Sequence, residues 1–465
     1  MSLIDARTRW WALGLLSLAQ FMVILDVTVV NVALPVIATE LELDRAALTW
    51  VVTAYTLCFG GLMLLGGRLA DAVGRRRTFL IGLTVFTIAS LVSGLAWSAS
   101  ALVAARTAQG MGAALLSPAA LSIVTTTFHG PDRNRALGVW AAIAGAGAAA
   151  GVLLGGLFTA GPGWEWVFFI NVPVGLVVGS LLPRLVPAGR GGRSHVDLPG
   201  ALIAMTAVGT LIYGLVRAGD TGWSGGSTLF LLAAGLGLLA VFVVVERRTA
   251  EPLVRLELLT RRPVAAGNVV MLGASGLLLA NFFLNSQYLQ HVLRLDALET
   301  GLIFLPVALV IGVGTHLGVR VVARFGGRPA VAVGFGLAAV GAVLLSQVPV
   351  TGNAWSAVLP GFLISGLGLG ATFVTATTTA MAHVEPHDAG TTSGLISTGH
   401  ELGATLGIAF VATIAAQSLR GSGPVSGFGA AFTAMAVAAV LLAALTAWLV
   451  PAGRPPATDG PVFAH

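Results

Sequence analysis

Fourteen times along this chain, an apolar run of membrane-spanning length ends at a charged or Gly/Pro-rich break. A bilayer core about 30 Å thick needs roughly 20 mostly apolar residues from a helix rising ~1.5 Å per residue. No water hydrates the backbone at that depth, so each run must satisfy its own hydrogen bonds, as a helix does. The candidate spans are Trp11–Val36, Leu48–Leu65, Thr78–Ala96, Ala101–Val124, Ala136–Ala160, Trp166–Leu182 and Leu198–Val216. The remaining seven are Leu229–Val245, Val264–Leu289, Gly301–Val319, Ala330–Leu345, Ala357–Thr375, Gly390–Ala416 and Phe428–Val450. With 56% hydrophobic residues, 9% charged residues and a mean hydropathy of +0.92, the composition excludes a soluble domain. The first run exceeds a signal peptide's apolar core, and no small-residue cleavage site follows it, so it is expected to remain as span 1. The single cysteine, Cys58, cannot form an intrachain disulfide.

Arginine placement tests the count. If the N-terminus is cytoplasmic and sides alternate, twenty arginines fall on the cytoplasmic side and four on the other: Arg45, Arg217, Arg294 and Arg420. That asymmetry fits the positive-inside rule, and one span too many or too few would scramble it. Both termini are therefore expected to be cytoplasmic. The same distribution accounts for the basic balance without nucleic acid, since the charges line the inner membrane face. Arginine without any lysine, in an Ala- and Gly-rich chain, points to a GC-rich bacterial genome. The longest loop, from Glu246 to Pro263, leaves no room for a soluble catalytic domain and reads as a charged linker.

Between spans 2 and 3 the chain reads GGRLADAVGRRR. Gly67 and Gly74 permit a tight turn, and Asp71 can cap a helix or pair with Arg75 or Arg76. The pattern resembles the signature loop of the major facilitator superfamily. Span 4 opens with LVAARTAQGMGAA, which resembles that family's R-x-x-Q-G motif, at Arg106, Gln109 and Gly110. Span 5 carries Gly147, Gly151, Gly155 and Gly156 and resembles the glycine-rich motif of its antiporters, with Val152 in place of the usual proline. LDVTVVNVALP in span 1 and WEWVFFINVP at span 6 are similar to segments of the fourteen-span drug–proton antiporters, Glu165 replacing a usual arginine. YLQHVLRLDALETGLIFLP and GLISTGHELGATLG also resemble segments of those antiporters.

The resemblance implies an all-α membrane protein with two six-helix halves, residues 1–186 and 251–450. A linker with two inserted helices, residues 187–250, would join them, and residues 451–465 would form a cytoplasmic tail. The loop GVRVVARFGGR, between spans 10 and 11, reads as a degenerate copy of the signature loop. If Gly326 corresponds to Gly74, Ala323 stands where the acid would be. Internal repeats of this kind put binding sites between the halves, near mid-membrane.

Asp26 in span 1 and Arg106 in span 4 are the candidate proton-coupling pair. Both lie roughly 12–15 Å below the same membrane face, counted along their spans at ~1.5 Å per residue, so they could meet. An apolar surround favours a neutral carboxyl group and a guanidinium favours the charged one, so changing access could load and release a proton. The alternative is a static ion pair that fastens two helices. Glu401 in span 13, beside His400, reads either as a second proton site or as an acid near the inner mouth. Asn281, Asn285 and Tyr288 share one helical face, as interhelical bonds or as substrate contacts, and Asn31 and Asn171 are similar cases. Trp164 and Trp166 read as interfacial anchors. His383 and His387 lack a third ligand for a metal.

Together these features, with the resemblance, imply a proton-driven exporter of small amphipathic or cationic organic compounds such as antibiotics. It would be a monomer in the bacterial inner membrane, use the proton gradient with no cofactor, and not be an enzyme. The alternatives are uptake or lipid movement by the same fold, or a membrane sensor or scaffold that transports nothing.

Overall fold

The structure is a computed structural model. It describes residues 6–128, 153–187, 197–249, 256–349, 351–382, 389–416 and 425–453, together with Asp132, Ala136, Val139, Gly147, Ala150, Gly151 and Pro252. The long helices are α1 (Ala6–Glu40), α2 (Arg45–Val73), α3 (Arg75–Gly94), α4 (Ala99–Thr127), α5 (Asn171–Leu185), α6 (Leu198–Thr221) and α7 (Gly226–Arg248). They continue as α8 (Arg262–His291), α9 (Ala297–Phe325), α10 (Gly327–Leu345), α11 (Leu359–Met381), α12 (Ala389–Ile414) and α13 (Ser426–Leu449). Among the described residues, twelve helices are long and apolar enough to cross a membrane, and α6 adds a shorter apolar stretch, Pro199–Leu215. Of the expected span 5, Ala136–Ala160, twelve of twenty-five residues lie outside the described ones.

Helix starts follow local chemistry. Asp44 accepts a hydrogen bond from the Ala47 amide at the head of α2, and Ser98 does the same for Ala101 at α4. Asp296 and Glu299 form a reciprocal capping box at α9. Gly74 alone separates α2 from α3 at φ 106°, and Gly326 alone separates α9 from α10 at φ 89°. Both are backbone conformations that side chains disfavour, so glycine at each turn has a physical cause.

The helices pack as two bundles. In one, α4 lies between α2 and α3, and α5 rests on α1 and α3. In the other, α11 packs on α10, α9 and α8, while α12 and α13 close against α8 and α10. The bundles meet where α2 runs along α12 and α1 touches α8 and α9. Over the α2–α12 seam lies α6: Val208 and Ile212 join Leu57 and Ala409 in one apolar cluster, and Thr413 donates to the Leu215 carbonyl at 2.7 Å. Helix α7 covers α6 and turns most of its apolar surface outward, as lipid contact requires.

Span 6 runs from Trp166 as expected and reaches Leu185: a four-residue helix, Trp166–Phe169, passes through Ile170 in helical backbone conformation into α5. One local feature departs from the sequence reading. Of the two tryptophans, Trp166 is 48% exposed, whereas Trp164 is 3% exposed and donates its indole N–H to Glu40 at 2.8 Å. Trp164 is thus a pin on the end of α1 rather than an interfacial anchor.

Candidate functional site

The site grows from Arg106. Burying a guanidinium is costly unless its charge and donors are met. Arg106 is 1% exposed and Asp26 is fully buried. Nη1 of Arg106 donates to Asp26 Oδ2 at 2.5 Å and to Gln109 Oε1 at 2.8 Å, and Nε donates to the Val51 carbonyl on α2 at 3.1 Å. Gln109 lies three residues along α4, hence on the same face. Below the guanidinium carbon sit the rings of Tyr55, at 4.2 Å, and Phe168, at 5.8 Å, both within cation–π range.

Asp26 is equally well met. Its Oδ1 accepts from Gln109 Nε2 at 2.7 Å and from Asn171 Nδ2 at 3.1 Å. Both amides also donate to Ser90 Oγ, whose hydroxyl donates to the Phe168 carbonyl at 3.0 Å. The carboxylate thus has three donors, drawn from α4 and α5. α1, α2, α3, α4 and α5 contribute to one polar knot inside an apolar bundle. Such a network is stable only while every member is satisfied, so a proton arriving at Asp26 would force its partners to rearrange. Chemically, the knot can hold a carboxylate–guanidinium pair away from water and register its protonation.

The glycine stripe stands against this helix. Methyl groups at Gly147, Gly151 and Gly155 would press on Ile24, Thr28 and Val29 of α1, so α1 is approached at backbone distance along the turns that carry Asp26; Gly156 is buried. Asn31, one turn beyond Asp26, bonds its own helix through the Val27 carbonyl at 2.8 Å. Its backbone carbonyl accepts from Ser286 of α8 at 2.6 Å, and Val32 accepts from Gln290 at 2.8 Å.

Other candidates fall elsewhere. Asn281 donates to Ser365 at 2.8 Å, Asn285 donates back to Asn281, and the Tyr288 hydroxyl donates to the Pro349 carbonyl at 2.5 Å. All three lie buried within the second bundle; Asn281 and Tyr288 tie α8 to its neighbours, while Asn285 bonds within α8. The His400 ring lies 5.5 Å from Phe373, and its carbonyl accepts from Ser275. Glu401 lies on the α2–α12 seam: a methyl group at Gly60 would collide with its Cβ, and one turn further Thr405 donates to Thr56 at 2.5 Å.

In the signature loop, Arg76 holds the Pro183 and Val186 carbonyls at the end of α5, at 3.2 and 2.9 Å. Arg68 holds the Pro252 carbonyl at 2.8 Å. Gly67 faces open space save for Pro118 at 4.0 Å, and Arg75 begins α3. The side chain of Asp71 lies outside the described part of the structure, as do His383 and His387.

Sequence reasoning passed over Ser90, Tyr55 and the roles of Gln109. Gln109 carried a signal, its i+3 spacing from an intramembrane arginine. Ser90 and Tyr55 carried none, because a serine or tyrosine in an apolar helix looks alike wherever it points.

Comparisons with known proteins bear on this arrangement. The family model described as Major Facilitator Superfamily matches residues 16–408. The chain is 38% identical to a puromycin resistance protein of Streptomyces alboniger, covering 97% of this chain and 93% of that one. It is 39% identical to a cephamycin export protein of Amycolatopsis lactamdurans, over 94% and 92% of the two chains. A multidrug resistance protein of Mycobacterium tuberculosis is 34% identical, over 89% and 77%. Among solved structures, a POT family peptide transporter superposes with a TM-score of 0.69 at 15% identity, covering 99% of this chain and all of the other. An inward-facing bacterial homologue of the lysosomal transporter Spinster gives 0.65 at 18%, over 96% and 98%. At those identities the likeness is one of fold.

Proposed function

The chain belongs to the major facilitator superfamily, a family of membrane transporters rather than enzymes, and we propose that it exports small amphipathic or cationic organic compounds in exchange for protons. The named activities of the relatives support export of antibiotic-like molecules. The observation that carries proton coupling is the knot around Asp26. A carboxylate and a guanidinium, both removed from solvent, are held by five helices on the side of the bundle that faces the second bundle across α1 and α2. A scaffold has no use for so costly a pair. We read residues 1–186 and 251–450 as the two rocking halves, 187–250 as the insert, and 451–465 as a cytoplasmic tail. On that reading the bonds from Ser286 and Gln290 to α1 close the extracellular side of the seam. The protein would work as a monomer in the bacterial inner membrane with both termini in the cytoplasm, using the proton gradient and no cofactor. Asp26 and Arg106 are its main coupling pair and Glu401 its second acid. Asn31, Asn171, Asn281, Asn285, Tyr288 and His400 are candidates for shaping the substrate path.

Reconstituted protein tests this reading with puromycin and ethidium as probes. An imposed pH gradient should drive accumulation of at least one probe in proteoliposomes. Asp26→Asn, which keeps shape but fixes the neutral state, should abolish gradient-driven accumulation while sparing exchange of probe for probe. Full gradient-driven transport by Asp26→Asn, with loss in Glu401→Gln, would move the proton site to α12.

A further inference from the structure

Tyr55 stands on α2 between the Asp26–Arg106 knot of one bundle and Glu401 of the other. Its ring packs under the Arg106 guanidinium at 4.2 Å, and a methyl group on Gly110 of α4 would collide with its carbonyl. The side chain is fully buried, and among the described residues its hydroxyl has no hydrogen-bond partner. Buried hydroxyls are almost always paired, so an orphan here asks for a partner supplied in another arrangement of the molecule.

The charged groups packed on this stretch of α2 are Arg106, over the ring, its partner Asp26, and Glu401, which sits on Gly60 one turn from the Thr405–Thr56 bond. Asp26 already accepts three hydrogen bonds, on both oxygens. Arg106 has donors only and cannot accept from a phenol. Glu401 is the remaining acceptor, and it lies on the helix that packs against α2, its Cβ directly over Gly60. The neighbouring titratable groups are otherwise engaged or neutral. His400 lies tilted against Phe373 on α11, and Cys58 of α2 is a buried thiol beside Gly110.

We propose that Tyr55 is the positioning residue that links the two acids: when the bundles shift, its hydroxyl donates to ionised Glu401. This rests on the proton-coupling reading above. A hydrogen bond to a carboxylate is roughly twice as strong as one to a neutral group, so protonating Glu401 weakens it. The ring is then free to settle on Arg106 as seen here. The tyrosine keeps its own proton throughout; the proton that moves is carried by Glu401 to and from water. Loading of the second bundle is thereby felt at the guanidinium that holds Asp26.

Tyr55→Phe tests the hydroxyl and keeps the ring. Because that hydroxyl is unpaired in this state, the variant should unfold at the same temperature as wild type or higher. A merely structural tyrosine would give the opposite result. In proteoliposomes with ethidium, the maximal gradient-driven rate should fall about tenfold with KM within a few fold, the size expected for losing a hydrogen bond to a charged group. Its pH profile should also move. Tyr55→Phe combined with Glu401→Gln should be no slower than Glu401→Gln alone, since both remove one interaction. A coupled wild type with a wild-type rate and pH profile in Tyr55→Phe overturns this inference alone, as do losses that multiply in the double variant. A wild type whose ethidium and puromycin transport both ignore the pH gradient overturns the coupling reading and this inference with it.

Discussion

Arg106 is the residue on which the first bundle's interior turns. Removing one partner of a buried pair leaves the other's charge uncompensated, at a cost of roughly 3–5 kcal/mol. Arg106→Ala should therefore lower the thermal unfolding temperature sharply, and Asp26→Asn in the same chain should recover much of the loss, because the stranded charge is then gone. Thermal unfolding in detergent distinguishes this from a simple cavity, which the second substitution would not relieve. Gln109→Leu is the milder case. It takes one of three donors from Asp26 and one acceptor from Arg106, which corresponds to about 1–3 kcal/mol. Asp26 and Arg106 were legible in the sequence because ionisable residues in apolar runs stand out. Asn171 was visible but not its target, since nothing in a linear pattern says which of several amides reaches a given carboxylate.

At the scale of helices, close approach is what glycine provides. Gly60 lets α2 lie on α12 with the Glu401 backbone almost in contact. Gly60→Ala should wedge the seam apart, and the protein should keep its fold but lose transport several-fold, read as a fall in maximal rate in proteoliposomes. Glycine at the two one-residue turns acts through the backbone instead. Gly74→Ala and Gly326→Ala each place a side chain at a φ near +100°, a strain of about 1–3 kcal/mol. Both should lower the unfolding temperature by similar amounts, and a loss at only one of them would mean that the turns are not equivalent. The paired turns were legible from GGRLADAVGRRR and its degenerate copy. So was span 6, because WVFFI and NVPVG read as one continuous apolar run and Trp166–Leu185 forms one span.

Across the whole molecule, two bundles meet on a seam that must open for transport by this fold to occur. In a Cys58→Ala background, cysteines at Asn31 and Ser286 flank a direct bond between α1 and α8. A short bifunctional thiol reagent should join them and stop transport of puromycin and ethidium, and a reducible version of the linker should restore it on cleavage. Uninterrupted transport through the cross-link would mean that this contact survives the whole cycle. Orientation is open to a separate measurement: a reporter after Arg193 should read cytoplasmic and one after Asp220 external, and the reverse at either site would break the span count.

The sequence by itself determined that this is a helical membrane protein, where most spans lie, and which charged residues fall within apolar spans. Those properties follow from one-dimensional rules: apolar length against bilayer thickness, and the cost of charge at depth. Only the tertiary structure decided that Asp26 accepts from Gln109 and Asn171 as well as Arg106, that Tyr55 lies under the guanidinium, that α6 covers the α2–α12 seam, and that Trp164 is a buried pin. In lipid every helix is apolar all round, so hydrophobic periodicity no longer tells which face meets a neighbour. That choice is made by packing between residues far apart in the chain.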